Sequence, residues 1–306
     1  MKIVMAGGSG FLGRALSVRL VAAGHQVLVL TRHAGSGRLW EGQRSTAPWT
    51  PNGAAGDWAT AIDGADAVVN LAGTSIGDGR WTRARKAEIL ASRLSATSSL
   101  VAAIAAARRR PSVLVSASAQ GFYGDRGDEE LGEDAAPGRD FLADVCIRWE
   151  AEARKASETC RVVTLRTGIV LAAAGGALPR MALPFKLFAG GPFGSGRQFM
   201  SWIHLDDWVG IACLALTDER VRGPVNLGSP APVRNRDFAA ALGRALHRPS
   251  LVPTPALALR LALGEMAQPL LLASTRMVAA AALSHGYRFA HPEVGPALEA
   301  ALQQLL

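Results

Sequence analysis

The sequence has few cysteines and no long hydrophobic run. Its 306 residues include three cysteines, Cys146, Cys160 and Cys213, whose spacing fits neither a metal site nor a disulfide framework. The apolar stretches near residues 256–264 and 278–283 are too short to span a bilayer. No internal repeat, low-complexity tail or apolar leader is evident in the sequence. We therefore expect a cytoplasmic protein with reduced thiols, no membrane span and no metal site.

The composition is that of a globular protein with an excess of positive charge. Apolar residues make up 49% of the chain, and the length suits one large domain or two lobes. The net charge is +8, but the arginines are scattered. The one tight run, residues 108–110, precedes a proline, where cations suit the end of a helix. We expect no nucleic-acid partner, because an anionic cofactor or substrate is enough to explain the charge.

The first thirty residues read as a strand, a glycine turn, a helix and a second strand. Residues 2–6 and 26–31 are short apolar runs typical of buried strands. Between them come Gly7, Gly10 and Gly13, and then apolar positions with the period of a helix. This order of elements predicts a complete βαβ unit.

Each glycine has a physical purpose at a dinucleotide site. Gly7 allows a tight turn off the strand, Gly10 lets a pyrophosphate approach the backbone, and Gly13 lets the helix pack closely on the strand. The helix N-terminus, with Phe11 and Leu12, then directs N–H groups and the positive end of its dipole at the phosphates. A glycine-rich turn without a ligand is the plainer alternative.

The end of the second strand indicates which dinucleotide is bound. NAD sites usually place an Asp or Glu there, whereas this chain has Thr31 and Arg32. A guanidinium suits a 2′-phosphate, with which it forms charged, two-pronged hydrogen bonds. The sequence therefore favours NADP over NAD, the alternative being that Arg32 is an ordinary solvated arginine.

A third apolar strand, residues 65–70, ends in a turn of small residues. Leu71, Ala72 and Gly73 follow it directly. Ligands of doubly wound sheets bind at the carboxyl ends of the strands, so we expect this turn to line the path of the cofactor. A purely structural turn would show the same pattern.

Strands and helices alternate up to about residue 170, which predicts an α/β fold. We expect a Rossmann doubly wound parallel sheet in residues 1–170 as the NADP-binding domain and a smaller C-terminal substrate lobe in 171–306. Residues 33–60 are predicted as loop with one short strand. Beyond the first unit, the predicted helices cover residues 82–107, 140–156, 208–216 (capped by Asp206 or Asp207), 236–246, roughly 255–282, and 294–306.

Several motifs together resemble the extended, epimerase-like short-chain dehydrogenase/reductases. These are residues 7–13, 70–73, 122–124 and 202–207. Further motifs resemble the branch of nucleoside-diphosphate-sugar epimerases that has its own C-terminal domain, here from about residue 250; they are residues 92–93, 141–150, 166–171, 190–198 and 263–289. The resemblance covers essentially the whole chain.

The resemblance implies a Rossmann domain with a smaller substrate lobe, NADP as the cofactor, and a small-molecule substrate such as a nucleotide sugar. Fold analogy alone supports the sugar. The matching positions imply that seven residues contact the cofactor: Thr31, Arg32, Leu71, Ala72, Glu88, Arg93 and Val170.

The chain departs from its superfamily at the proton relay. Ordinary members use a Ser, a Tyr and a Lys, in which the Lys lowers the pKa of the Tyr. Alignment on Glu150 puts Leu142 at the Tyr position and Cys146 at the Lys position. Ser118 and Tyr123, which follow the end of one strand, are therefore the candidate catalytic residues, although Tyr123 could instead pack under the acidic loop after it.

Three functions remain open from the sequence. The first is an oxidoreductase or epimerase with a substitute acid and base, for which His204 is a further candidate. The second is a non-catalytic NADP-binding protein that senses redox state or docks a partner. The third is an enzyme whose hydride chemistry needs no Tyr, because the substrate or water supplies the acid.

Overall fold

The computed structural model describes residues 1–32 and 43–303. In that part the strands are β1 Lys2–Ala6, β2 Gln26–Thr31, β3 Arg44–Pro48, β4 Ala67–Asn70, β5 Val113–Ala119, β6 Glu130–Leu131, β7 Arg161–Thr167, β8 Ile169–Leu171, β9 Phe199–Met200, β10 Trp202–His204, β11 Gly223–Leu227, β12 Val233–Arg234 and β13 Arg276–Met277. The α-helices are α1 Phe11–Ala22, α2 Arg83–Ala106, α3 Phe141–Arg154, α4 Leu178–Lys186, α5 Leu205–Thr217, α6 Asn235–Ala245, α7 Ala256–Leu263, α8 Ala280–Ser284 and α9 Val294–Gln303.

Seven strands form one parallel sheet in the order β11-β7-β5-β4-β1-β2-β3. From β1 the chain first builds outward through β2 and β3, and then crosses back to β4 on the other side. The strand order therefore reverses between β1 and β4, which is the point where doubly wound sheets open a crevice for ligands. The predicted α/β Rossmann fold is confirmed.

The two faces of the sheet have separate cores because side chains alternate along each strand. In β1, Ile3 and Met5 face one core and Val4 and Ala6 face the other. Residues of α1 and α5 fill the first core, and residues of α2 and α3 fill the second. Since both faces are covered, the strands read as continuous apolar runs.

A third core lies in the C-terminal half, where α6 and α9 pack near the β8–β10 pair. Residues of this C-terminal half also belong to the main sheet and its core. Strand β11 pairs with β7, and α5 contributes Trp208 to the first core. The sheet therefore extends past residue 170, where we expect the first domain to end.

Two predicted helices differ from the structure. Helix α5 begins at Leu205, with His204 as its N-cap, instead of at residue 208 with an Asp cap, because Nδ1 of His204 accepts the Asp206 N–H at 3.2 Å. The helix predicted over 255–282 is broken into α7, short 3₁₀ and π turns, β13 and α8. Gly264, with φ of +62°, follows α7, and Pro269 has no N–H with which to continue a helix.

The other predicted segments agree within one or two residues at each end. Helix α2 is capped by Thr82, whose hydroxyl accepts the Arg85 N–H at 3.1 Å. Of the stretch 33–60, residues 33–42 lie outside the described residues, and the remainder contains β3 and a 3₁₀ turn at Asp57–Ala61. Residues 304–306 also lie outside them.

Helix α2 is long and apolar enough, by length and composition alone, to cross a membrane. In the structure it packs on α3 and buries Ala96, Leu100 and Ile104 in the second core. Its place on the face of the sheet explains its apolar composition.

Candidate functional site

The turn between β1 and α1 needs glycine at two of the predicted positions. Gly7 has φ of +79°, and a Cβ on it would lie 2.5 Å from the backbone carbon of Leu71. A Cβ on Gly13 would overlap the carbonyl oxygen of Gly7 and the Cα of Gly8. Strand, turn and helix therefore pack too closely for side chains at these two points.

The first turn of α1 is open at the carboxyl edge of the sheet. Gly10 is exposed, and its carbonyl accepts the Arg14 N–H at 2.9 Å, the first hydrogen bond of the helix. The N–H groups of Phe11, Leu12 and Gly13 precede that bond and have no acceptor within the helix. The first turn contains no acidic residue that would repel an anion. These features fit a pyrophosphate.

The turn after β4 is fixed beside the turn after β1. Asn70 is buried; its Nδ2 donates to Oγ1 of Thr97 at 2.9 Å, and its Oδ1 accepts the N–H of Ala72 at 3.2 Å. The N–H of Leu71 donates to the carbonyl of Ala6, the last residue of β1, at 2.9 Å. Leu71 and Ala72 therefore lie at the point where the strand order reverses.

Arg93 lies against Gly73 at the end of the same turn. A Cβ on Gly73 would lie 3.3 Å from Cγ of Arg93, and Nη1 of Arg93 donates to the carbonyls of Thr74 and Ile89 at 3.0 Å each. The guanidinium carbon is 5.0 Å from the centre of the Trp149 ring. Burial lowers the pKa of Arg93, but a guanidinium remains charged, so this turn has a cation beside it.

The remaining predicted cofactor residues lie at three places on the molecule. Thr31 ends β2, and the exposed Arg32 follows it. Val170 belongs to the first core, and the half-buried Phe11 packs against the same core. Glu88 is exposed on the N-terminal half of α2.

Ser118 and Tyr123 belong to one buried polar network. Oγ of Ser118 donates to Oε1 of Glu150 at 2.7 Å, and Arg166 donates to both oxygens of Glu150 at 2.8 and 2.9 Å. Arg166 also donates to the Tyr123 hydroxyl at 3.0 Å, which itself donates to Oδ1 of Asn226 at 2.6 Å. Ser118 is 3% exposed and Tyr123 is fully buried. Both hydroxyls are therefore engaged by protein groups.

The environment of Tyr123 keeps its hydroxyl protonated. Burial raises its pKa, and this outweighs the lowering effect of Arg166. Burial lowers the pKa of Arg166, but its hydrogen bonds and charge pairing with Glu150 raise it by more. Tyr123 is thus a neutral phenol next to a permanent cation, and its catalytic role stays a prediction.

Leu142 and Cys146 lie on one face of α3, against the end of β5. A Cβ on Gly121 would lie 2.9 Å from Cβ of Leu142, and Sγ of Cys146 is 3.8 Å from the carbonyl oxygen of Ala119. Met266 of the C-terminal segment belongs to the same cluster as Leu142. Burial raises the pKa of Cys146 to about 12. At neutral pH it is therefore an uncharged thiol, and Leu142 has no ionisable group.

We predict that Gly13→Ala lowers the free energy of unfolding by roughly 1–3 kcal/mol, because the new Cβ forces the turn apart. Gly295→Ala in α9 is the matched control, since a Cβ there meets only open space. Its effect should be neutral or stabilising by up to about 1 kcal/mol, as expected for Gly replaced by Ala in a helix. Urea denaturation measures both variants, and equal effects would contradict the prediction.

Comparison with known protein families assigns most of the chain to two family models. Residues 3–228 match the NAD dependent epimerase/dehydratase family. The chain belongs to this family. Residues 254–301 match a second model, described as a domain of unknown function, DUF1731. The predicted resemblance to an epimerase-like family with its own C-terminal domain is confirmed.

Relatives match this epimerase-family chain over nearly its whole length. The epimerase family protein SDR39U1 of Homo sapiens is 36% identical over 302 residues, 98% of this chain and 99% of that protein. The epimerase family protein MT2273 of Mycobacterium tuberculosis is 40% identical over 297 residues, 97% and 96% of the two chains.

Two solved structures are also similar to this epimerase-family chain. The crystal structure of human SDR39U1 isoform 2 with NADPH has a TM-score of 0.88 and 34% identity, covering 99% of each chain. A nucleoside-diphosphate sugar epimerase from Corynebacterium glutamicum has a TM-score of 0.78 and 33% identity, covering 99% of this chain and 58% of that one.

Sequence reasoning missed the contacts that hold the C-terminal segment of this epimerase-family chain over α2. Nζ of Lys86 lies 2.8 and 2.9 Å from the two carboxylate oxygens of Glu265, and Arg80 donates to the carbonyl of Leu261 at 2.9 Å. The segment containing Glu265 is visible as a motif in the sequence. Its charge partner, 179 residues away, becomes apparent only in the fold.

Proposed function

We propose that this chain binds NADP(H) at the edge between β1 and β4 and transfers hydride between the nicotinamide and a small-molecule substrate, as an epimerase-like oxidoreductase. The observation that carries the proposal is the open first turn of α1, placed where the strand order reverses. The human relative that was solved with NADPH supports the choice of cofactor.

The described residues suit successive parts of the dinucleotide. The N–H groups of the first turn of α1 would hold the pyrophosphate, and Arg32 beside Thr31 would bind the 2′-phosphate. The turn after β4 would line the path of the bound cofactor from the pyrophosphate toward Arg93. In full, the residues that we assign to the cofactor are Gly7, Gly10, Phe11, Leu12, Gly13, Thr31, Arg32, Leu71, Ala72, Gly73, Glu88, Arg93 and Val170.

NADP(H) supplies the hydride when bound, so the chain must orient the substrate and handle a proton. We assign proton transfer to and from the substrate to the hydroxyls of Ser118 and Tyr123. Arg166 lies next to Tyr123 and stabilises the negative charge that develops on the phenol oxygen. Access to the substrate requires the Tyr123 hydroxyl to exchange its bond to Asn226 for one to the substrate.

We predict that Tyr123→Phe abolishes turnover while NADPH affinity stays the same, because the variant loses the hydroxyl and keeps the ring. Tyr287→Phe is the matched control: the chain has two tyrosines, and the hydroxyl of Tyr287 bonds to Asp207 away from this network. Turnover is followed by the change in NADPH absorbance and by analysis of the sugar product. Unchanged turnover in Tyr123→Phe would remove Tyr123 from the mechanism.

We infer that the substrate class is a nucleotide sugar and that the residues from 171 onward, apart from α5 and β11 of the sheet domain, form the lobe that binds it. The segment from about 250 is its helical part. The similarity to the Corynebacterium glutamicum epimerase supports this inference. The basic residues Arg83, Arg85, Lys86 and Arg197 are candidates to hold the diphosphate of such a substrate. Of these, Arg85 and Lys86 already pair with carboxylates, which leaves the exposed Arg83 and Arg197 as the stronger candidates.

The closed network around Tyr123 specifically favours a second function, a non-catalytic NADP-binding sensor or docking protein. A screen distinguishes the two when it follows NADP reduction by nucleotide sugars, NADPH oxidation by small carbonyl compounds, and the formation of an epimerised sugar, which leaves the cofactor unchanged overall. Turnover that depends on Tyr123 supports the enzyme. NADPH binding without turnover on any of these compounds supports the second function.

A further inference from the structure

Two histidines and an aspartate meet where α5 begins. Nδ1 of His204 and Nε2 of His291 each lie 3.5 Å from Oδ2 of Asp206, and the three donor atoms all lie within 4.8 Å of one another. His204 and Asp206 come from the part of the chain that matches the epimerase family, and His291 comes from the part that matches the C-terminal domain. The cluster therefore joins the two matched segments.

The spacing of the donor atoms fits a metal ion. Ligand atoms about 2.1 Å from a tetrahedral zinc ion are separated from one another by roughly 3.4 Å. The distances from Oδ2 of Asp206 to Nδ1 of His204 and to Nε2 of His291, 3.5 Å each, are close to that value. Two imidazoles and one carboxylate are also a ligand set that zinc accepts, with water in the fourth position.

Nδ1 is the ring nitrogen of His204 that carries an available lone pair. The Asp206 N–H donates to Nδ1 of His204, so the proton of that ring is on Nε2. Nε2 is buried, with no hydrogen-bond partner among the described residues. The nitrogen that can bind a ligand is therefore Nδ1, and an ion there would replace one long hydrogen bond of 3.2 Å.

The backbone beside His291 is held in place by a second aspartate. Asp207 is buried and accepts the N–H groups of Ala290 and His291 at 2.8 and 2.9 Å and the hydroxyl of Tyr287 at 3.0 Å. The ring of His291 lies against that of His204, with 3.8 Å between the centroids and 40° between the ring planes. The side chain of Asp206 is 62% exposed, which gives an ion access from solvent.

We propose that His204, Asp206 and His291 form a binding site for a divalent transition-metal ion of the zinc type. The ion links the start of α5 to the C-terminal segment and stabilises the attachment of that segment to the sheet domain. His204 ends β10, whose Ile203 pairs with Val170 of the proposed cofactor residues. Zinc binding tests this site, and NADPH binding and turnover test the proposed function, so the failure of one is distinguishable from the failure of the other.

The test uses the full-length chain without a histidine tag, dialysed against a chelator and titrated calorimetrically with zinc chloride. We expect one zinc ion per chain and a melting temperature that rises with zinc concentration. Asp206→Asn and His291→Gln should each weaken zinc binding at least about tenfold. His247→Asn, which changes an exposed histidine outside the cluster, should leave the affinity unchanged.

A cobalt titration provides a second readout. The visible bands of tetrahedral cobalt should appear with the unaltered chain and be lost in His291→Gln. NADPH binding and circular dichroism show whether each variant is folded. Absence of zinc binding, or equal zinc affinity in the unaltered chain, Asp206→Asn and His291→Gln, would overturn the proposal and leave the cluster as a plain histidine–aspartate contact.

Discussion

Arg32→Glu should lower NADPH affinity about 10- to 100-fold, because a charge-assisted contact is worth roughly 1.5–3 kcal/mol and the new carboxylate repels the 2′-phosphate. NADH has no 2′-phosphate, so its affinity should change little. Arg32 is exposed directly after β2, the position from which a side chain reaches the adenosine ribose of a bound dinucleotide. Fluorescence titration with each cofactor measures the two affinities.

Arg44→Glu is the matched control for this charge reversal. Arg44 is exposed at the start of β3, which runs parallel to β2. It therefore lies at the amino ends of the strands, whereas Arg32 lies at their carboxyl ends. The variant has the same net charge as Arg32→Glu and should retain its preference for NADPH. Equal losses of NADPH and NADH affinity in Arg32→Glu would show that Arg32 does not recognise the 2′-phosphate.

Glu150→Ala should lower the free energy of unfolding by about 3–5 kcal/mol. The substitution leaves the guanidinium of Arg166 buried without its carboxylate, and it removes the acceptor of the Ser118 hydroxyl. The side chains of Glu150 and Arg166 are 2% and 5% exposed, so water does not replace the lost partner. Urea denaturation followed by circular dichroism measures the change.

Glu152→Ala provides the comparison on the same helix. Glu152 pairs with Lys155 at 2.6 Å, but Lys155 is largely exposed, and surface ion pairs contribute at most about 1 kcal/mol. A loss for Glu150→Ala no greater than that for Glu152→Ala would mean that the Glu150–Arg166 pair does not hold the end of β7 to α3.

The local features of the fold could be predicted from the sequence because each depends on neighbouring residues. The turn at Gly7 and Gly13, the strand before Leu71 and the start of α2 next to Thr82 are encoded within a few positions. The prediction of one helix over 255–282 was wrong. Gly264 has a left-handed backbone conformation and Pro269 has no N–H, so the helix ends despite the apolar residues on both sides.

The surroundings of the candidate catalytic residues could not be predicted, since they depend on contacts between distant parts of the chain. The hydroxyl of Tyr123 bonds to Asn226, 103 residues later, and to Arg166, 43 residues later. The sequence marks Tyr123 as a tyrosine beyond a strand end. Only the fold shows that its hydroxyl is buried and already engaged.

The most direct test of NADP(H) binding at the β1–β4 edge is a fluorescence titration of the purified chain with NADPH and, separately, NADH. The structure and the Arg32 position predict saturable binding of NADPH and clearly weaker binding of NADH. Absence of binding for both would contradict a dinucleotide site at this edge, and equal binding of both would contradict recognition of the 2′-phosphate.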